Sequence, residues 1–198
     1  MIGLFDFLVK PDGDRYNNSV KVGDKSLILN TEISNHQYIN REAVVIEVPK
    51  LNTTDIRNGD KLLIHHNVFR RWHNMKGIEK NSRSFLSEDR YLITTDQIFL
   101  RKRSGSCEWE AMDGYCFIQP LKSTEYLDVE VERPLVGIVK YTDGSFSKGE
   151  LVGFSPGDEF EFTIEGKRMY RVMTRSINTK YDYKGNEEEY NPGWAHSC

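Results

Sequence analysis

Gly59-Asp60-Lys61-Leu62-Leu63-Ile64 is the stretch from which the fold prediction starts, because its pattern returns as Gly157-Asp158-Glu159-Phe160-Glu161-Phe162. A glycine reaches the left-handed backbone conformation that a tight turn needs, and an aspartate can hydrogen-bond nearby backbone groups. The apolar residues that follow are typical of a strand. Each stretch therefore predicts a turn that opens into a β-strand.

Three further landmarks accompany each turn in the same order. A strand ending at a proline comes first, a nearly continuous apolar strand comes second, and a strand led by tyrosine follows the turn. In the first half these landmarks are residues 7–11, 42–48 and 91–98, and in the second half they are residues 116–120, 135–140 and 170–177. Because the order is kept, the sequence predicts a duplicated all-β domain whose copies differ mainly in their loops.

The chain is expected to divide into three segments. Residues 1–104 form the first domain, with a long loop and a basic insertion, residues 105–180 form the second, and residues 181–198 form a C-terminal tail. A length of 198 residues with 38% hydrophobic residues suits two small domains with their own cores. Residues 1–104 carry 17 Lys and Arg against 13 Asp and Glu, which leaves 10 against 17 for the rest. Oppositely charged halves can attract each other or line up head to tail in an oligomer.

Composition also predicts the compartment. The three cysteines, Cys107, Cys116 and Cys198, are odd in number and lack metal-ligand spacing, so reduced thiols are expected, with pairing of Cys107 and Cys116 under oxidation left open. No apolar run reaches the length of a membrane span, and the first residues do not resemble a signal peptide. We therefore expect a cytoplasmic protein without membrane contact.

An apolar triplet, Leu27-Ile28-Leu29, stands out within a polar, turn-rich segment that runs from residue 12 to residue 40. Three consecutive large aliphatic residues in an exposed loop need something to bury them. Two interpretations are open. In one, residues 26–33 form a strand of the protein's own core together with Ile33; in the other, the triplet is a hydrophobic hook for a partner.

A basic segment occupies residues 65–83. Its cationic residues are Arg70, Arg71, Lys76, Lys80 and Arg83, and the aromatic residues Phe69 and Trp72 lie among them. A solvated loop or an electrostatic contact with the acidic half of a neighbouring subunit is the favoured interpretation. Nucleic-acid binding through phosphate contacts and stacking is a lesser alternative, and nucleic acid is not an expected partner.

The same segment contains His65, His66 and His73. Neighbouring residues of a strand point to opposite faces, so at most one of the adjacent pair could join His73 in binding a metal. We expect no metal site. Phosphate-binding glycine loops, nucleophile elbows and recognisable carboxylate pairs are also lacking in the sequence. These patterns predict a protein that is not an enzyme and has neither catalytic residues nor a cofactor.

Two local predictions concern the second half. Residues 141–150 contain Asp143-Gly144 and Lys148-Gly149, which predict a β-hairpin. Beyond residue 179 the strand pattern stops. The acidic residues Glu187, Glu188 and Glu189 are expected to be solvated in a tail that docks on a neighbour or stays loose.

Taken in order, the landmarks resemble those of the GroES-type co-chaperonins, the lids of barrel-shaped chaperonins. Residues 4–10 resemble the family's first strand, residues 27–29 the apolar tripeptide of its mobile loop, residues 42–48 the next strand, residues 59–64 its Gly-Asp strand, and residues 91–98 its closing segment. This resemblance implies two tandem GroES-like irregular β-barrels with long loops, associated into a homo-oligomeric ring. A tandem, double-domain form of the family is known from chloroplasts.

The resemblance also implies a function. In this family the tripeptide inserts between two helices of the chaperonin's apical domain, so Leu27, Ile28 and Leu29 are the expected contacts to a GroEL-type chaperonin. Burial of three aliphatic side chains contributes a few kcal/mol. Ordering of the loop offsets part of that gain, and several loops on one ring restore affinity through multivalency.

The chain departs from the family pattern in two places. The second copy lacks the triplet, and the basic insertion at 65–83 is not typical of the bacterial proteins. Both features resemble co-chaperonin-like proteins encoded by bacteriophages, which act in the host cytoplasm. The alternative function is therefore a phage structural or virion protein that reuses the barrel as an assembly module and packs the triplet internally.

Overall fold

The computed structural model describes residues 3–29, 31–33, 35–123, 131–182, 185, 187–193 and 195. Strands joined in antiparallel pairs are the main regular structure, so the predicted all-β fold is confirmed. The helical segments are four short 3₁₀ helices, His36–Tyr38, His66–Val68, Thr95–Gln97 and Thr174–Ser176. Among the described residues, no helix has the length and apolarity that crossing a membrane requires.

The chain divides into two compact units, Met1–Trp109 and Glu110–Cys198. The sequence placed this division after Ser104. Closure of either sheet into a barrel stays a prediction.

Eleven strands begin in the first unit. They are β1 (Phe7–Pro11), β2 (Ser19–Val22), β3 (Lys25–Ile28), β4 (Glu42–Glu47), β5 (Lys61–Ile64), β6 (Arg71–His73), β7 (Glu79–Asn81), β8 (Phe85–Ser87), β9 (Arg90–Ile93), β10 (Ile98–Lys102) and β11 (Trp109–Ala111). Seven of them form one sheet in the order β11-β10-β5-β4-β1-β9-β8, and the pairs β2-β3 and β6-β7 stand apart as two-stranded hairpins. Alternating buried residues of β1, β4 and β9 form the core, for example Val9, Val45 and Tyr91.

In the described part of the second unit, six strands form one sheet. They are β12 (Tyr115–Lys122), β13 (Glu132–Thr142), β14 (Leu151–Phe154), β15 (Phe160–Ile164), β16 (Lys167–Met173) and β17 (Ile177–Tyr181), in the sheet order β15-β16-β12-β13-β14-β17. The core packs Ile118, Val139, Val152, Phe154 and Val172 together. β13 pairs with β14 across residues 143–150, so the predicted hairpin is confirmed.

The two sheets trace the same path. Read from one edge, the first is β10-β5-β4-β1-β9-β8 with β11 added, and the second is β17-β14-β13-β12-β16-β15. In the first unit Val9 of β1 lies between Val45 and Tyr91, and in the second unit Ile118 of β12 takes the same place. The chain therefore builds one strand order twice.

One predicted correspondence between the copies is wrong. Gly59 donates its N–H to Val45 O at 2.8 Å, and the residue with the same bond in the second unit is Gly149, which donates to Val139 O at 2.8 Å. Both glycines have positive φ, 87° and 89°. Gly157 instead precedes β15, the counterpart of β8. A Gly-Asp pair marks a tight turn before any strand, so the pattern alone does not identify which strand follows.

Of the described tail residues, Glu189 is not solvated as the sequence predicted, and residues 188–190 dock on strands of the second unit. Lys122 donates its N–H to Glu188 O, and Tyr190 donates to Pro120 O, both at 2.8 Å. The Glu189 carboxylate lies against the ammonium groups of Lys140 and Lys167. Residues 188–190 are thus bound to the protein's own second unit.

Gly137 provides a test of strand packing in the second unit. A Cβ atom at this position would lie 2.4 Å from Gln119 O and 2.6 Å from Ile118 Cγ2. Gly137→Ala should therefore lower the free energy of unfolding by roughly 1–3 kcal/mol, the usual cost of overpacking. Gly193→Ala is the matched control, because nothing lies within 4 Å of its Cβ position. Urea unfolding measures both, and equal stabilities would contradict the packing described for β13.

Candidate functional site

A β-hairpin lies where the sequence predicted a long loop. β2 and β3 pair antiparallel with Ser19 opposite Ile28 and Val22 opposite Lys25. Gly23 and Asp24 connect them, and Gly23 has a φ of 63°. Glycine at the first central position with positive φ is typical of the type II′ turn, whose twist suits a two-residue hairpin. The local turn chemistry therefore explains why this polar segment forms strands.

The apolar triplet Leu27-Ile28-Leu29 lies on the exposed side of this arrangement. The exposed fractions of the three side chains are 57%, 62% and 50%, and Val22 opposite β3 is 61% exposed. The interpretation that residues 26–33 are a strand of the protein's own core is therefore wrong. Three large aliphatic residues in succession are thus exposed at this hairpin, which makes it the candidate site.

The chain enters the β2–β3 hairpin through one leg, which includes residues 12–17, and leaves it through another, which includes residues 38–42. The side chain of Asn40 joins the two legs. Asn40 is 4% exposed. Its side-chain amide donates to Asp12 O at 3.0 Å and to Asp14 O at 2.8 Å, and its Oδ1 accepts the N–H of Glu42 at 2.8 Å. One buried side chain thus satisfies backbone groups on both legs, as buried polar groups require.

Tyr16 forms a second tie closer to the hairpin. Tyr16 is 8% exposed, and its backbone forms an isolated antiparallel β-bridge with Ile39 on the opposite leg. Its hydroxyl donates to Ile33 O at 2.8 Å and accepts the N–H of Arg71 at 2.8 Å. Leu29 N donates to Asn18 O at 2.7 Å at the start of the hairpin itself. The triplet therefore projects from an anchored base.

Sequence reasoning missed Asn40 and Tyr16. Tyr16 is the only Phe, Trp or Tyr between residues 12 and 37. An aromatic residue in a polar segment needs a packing partner, so it was a usable signal for a structured loop. Asn40 offered no such signal, because its partners are backbone carbonyls and a backbone N–H.

The five predicted basic contacts separate into two groups. Lys76, Lys80 and Arg83 are exposed on or beside the β6–β7 hairpin. Arg70 and Arg71 are half-buried, and Arg71 pairs with Glu79 at 3.0 Å. Three of the five residues are therefore accessible for the possible electrostatic contact, which stays a prediction.

Stacking on a nucleic-acid base requires an exposed ring, and of the two aromatic residues in the basic segment Phe69 does not meet this requirement. Phe69 is fully buried and packs edge-on against Tyr91 with the ring centroids 4.7 Å apart. Trp72 is 43% exposed. A nucleic-acid base could therefore reach Trp72 but not Phe69.

The predicted placement of His65 and His66 as neighbours on one strand is wrong. His65 precedes the 3₁₀ helix His66–Val68 and accepts the N–H of Asn67 on Nδ1 at 3.1 Å, so the two residues leave the strand. Their rings stack with centroids 4.4 Å apart, and His36 lies 5.5 Å from His66. Within the described residues no group of three metal-binding side chains has a geometry that could hold an ion.

The cysteines of the described chain are free thiols. Cys107 is exposed and Cys116 is buried. Burial raises the pKa of Cys116, although hydrogen bonds to Thr174 and Thr142 act against that effect. Cys198 lies outside the described residues.

His66 gives the first unit a pH dependence that can be measured. Burial, together with the neighbouring His65, Arg41, His36 and Arg70, lowers the pKa of His66 to about 4. An unfolded histidine has a pKa of about 6.5. Between these values the unfolded chain binds a proton that the folded chain does not, so the free energy of unfolding should fall as the pH falls from about 6.5 towards 4.

The imidazole signal of His66 should accordingly titrate near pH 4 by NMR. His66→Gln should lose less stability than the native chain between pH 7 and pH 5, and the exposed His73→Gln should behave like the native chain. A midpoint for His66 near 6.5 would contradict the environment described here.

Comparisons of the chain with protein-family models, with curated proteins and with solved structures gave no match. The β2–β3 hairpin and the residues around it therefore provide the structural basis for a functional proposal.

Proposed function

We propose that this chain is a non-enzymatic co-chaperonin of the GroES type, which caps a GroEL-type chaperonin through Leu27, Ile28 and Leu29 and assists protein folding. The observation that carries the proposal is the exposure of all three side chains on a hairpin with an anchored base. A hook of this kind is what the resemblance of the sequence to the family implies. The repeated strand order agrees with a tandem form.

The energetics of docking agree with a reversible cap. Full burial of one Leu or Ile side chain contributes about 1.5–3 kcal/mol. About half of each triplet side chain is already covered in the free protein, so docking gains only part of that. Because β2 and β3 are already paired, less ordering entropy is lost than for a disordered loop. A homo-oligomeric ring would combine several such weak contacts into strong binding.

The alternative is a phage structural or virion protein that uses the fold as an assembly module. Internal packing of the triplet was the feature expected of that protein, and the exposed β3 strand does not provide it. The capping role is therefore favoured. Nucleic-acid binding through Lys76, Lys80 and Arg83 is supported only by their exposure and that of Trp72.

The test is ATP-dependent co-sedimentation with a GroEL-type chaperonin. The variant Leu27→Ser, Ile28→Ser, Leu29→Ser removes the apolar surface while leaving the backbone pairs of the hairpin in place. We expect the native chain to bind and this variant to lose at least about tenfold in affinity, since each aliphatic contact contributes on the order of 1 kcal/mol.

The matched control is Leu51→Ser, Met75→Ser, Ile78→Ser, which removes three exposed apolar side chains from outside the β2–β3 hairpin. It should bind like the native chain. Circular dichroism checks that both variants are folded. Equal binding by the native chain and the triplet variant, or no binding by the native chain, would reject the proposed function.

A further inference from the structure

The basic insertion and the β2–β3 hairpin meet at one side chain. Tyr16 lies on the leg that enters the β2–β3 hairpin, Ile33 on the leg that leaves it, and Arg71 begins β6 of the insertion. The Tyr16 hydroxyl bonds to both Ile33 O and Arg71 N at 2.8 Å. The Arg71 guanidinium also lies over the Tyr16 ring, 4.8 Å from its centroid. Three segments distant in sequence are therefore joined at Tyr16.

Arg15 makes a second connection beside the first. Its Nε donates to Phe69 O at 2.6 Å, one terminal nitrogen donates to Arg70 O at 3.2 Å, and the other donates to Asn81 Oδ1 at 2.8 Å. Phe69 and Arg70 precede β6, and Asn81 ends β7. The planar guanidinium thus reaches both ends of the β6–β7 hairpin, a geometry that lysine cannot reproduce.

Aromatic rings hold the Arg15 side chain in place. Its guanidinium carbon lies 5.7 Å from the centroid of Phe85 and 5.3 Å from that of Tyr91. Tyr91 is 2% exposed and belongs to β9 of the main sheet. The connection between the two hairpins is thereby fixed to the core of the first unit. Burial lowers the pKa of Arg15. A guanidinium nevertheless stays charged in proteins.

From this arrangement we propose that the insertion is a buttress, in which Arg15 and Tyr16 are positioning residues that hold the β2–β3 hairpin at a fixed orientation to the main sheet. The role in docking rests on the proposed function, whereas the mechanical role concerns the free protein. A hairpin held in one orientation loses less conformational entropy when a partner buries its triplet. The insertion therefore raises affinity without touching the partner.

Tyr16→Phe tests this role, because it removes the hydroxyl and keeps the ring. Two hydrogen bonds of ordinary strength are lost, so amides of residues 18–29 should exchange with deuterium about tenfold faster in the free protein. Arg15→Lys keeps the charge but cannot donate all three hydrogen bonds of the guanidinium, so it should also speed up amide exchange at residues 18–29. Tyr38→Phe, on the opposite leg, is the control and should exchange like the native chain.

The readouts separate this proposal from the proposed function. Unchanged amide exchange at residues 18–29 in both variants would overturn the buttress. An equal increase of the exchange rates in β1, β4 and β9 would also overturn it, because Arg15 and Tyr16 would then stabilise the whole unit. Where the native chain binds a GroEL-type chaperonin, both variants should also bind more weakly. Failure of the native chain to bind would reject the capping role, and the exchange rates would still decide the mechanical one.

Discussion

The hydrogen bonds that join the two legs of the loop at residues 12–17 and 38–42 are the constraint on which the candidate site depends. Asn40 satisfies three backbone groups there, and Asn17 donates its N–H to Tyr38 O at 2.7 Å. An isolated two-stranded hairpin is marginally stable in water. Anchored legs compensate for that weakness, so an apolar triplet can remain in solvent without collapsing onto the core.

The two units use one strand order for different purposes. In the first, β1 and β4 extend into the legs that carry the β2–β3 hairpin. In the second, the end of β12 pairs with Glu132 of β13 and with tail residues 188–190. Loops change readily because they lie outside the packed core, whereas the sheet order is fixed by burial. Two units with one strand order can therefore differ in whether they carry an exposed apolar hairpin.

Much of the fold could be predicted, because its signals are local. Proline at the end of β1, continuous apolar residues in β4 and the tyrosine in β9 are each marked by neighbouring sequence. The wrong pairing of Gly59 with Gly157 shows the limit of such signals, since a turn motif does not specify its partner strand. The anchoring of Tyr16 by Arg71 was beyond reach for the same reason, because the contact joins residues 55 positions apart.

Site-specific cross-linking determines whether the triplet contacts a chaperonin. A photoactivatable amino acid in place of Ile28 would be irradiated in a mixture of the chain, a GroEL-type chaperonin and ATP, and the products mapped by mass spectrometry. If the triplet docks on the chaperonin, we expect cross-links to the apical-domain helices of the chaperonin. The same probe at Leu51 should give far fewer of them. Cross-links confined to other copies of this chain would contradict that docking and would identify the triplet as an assembly contact.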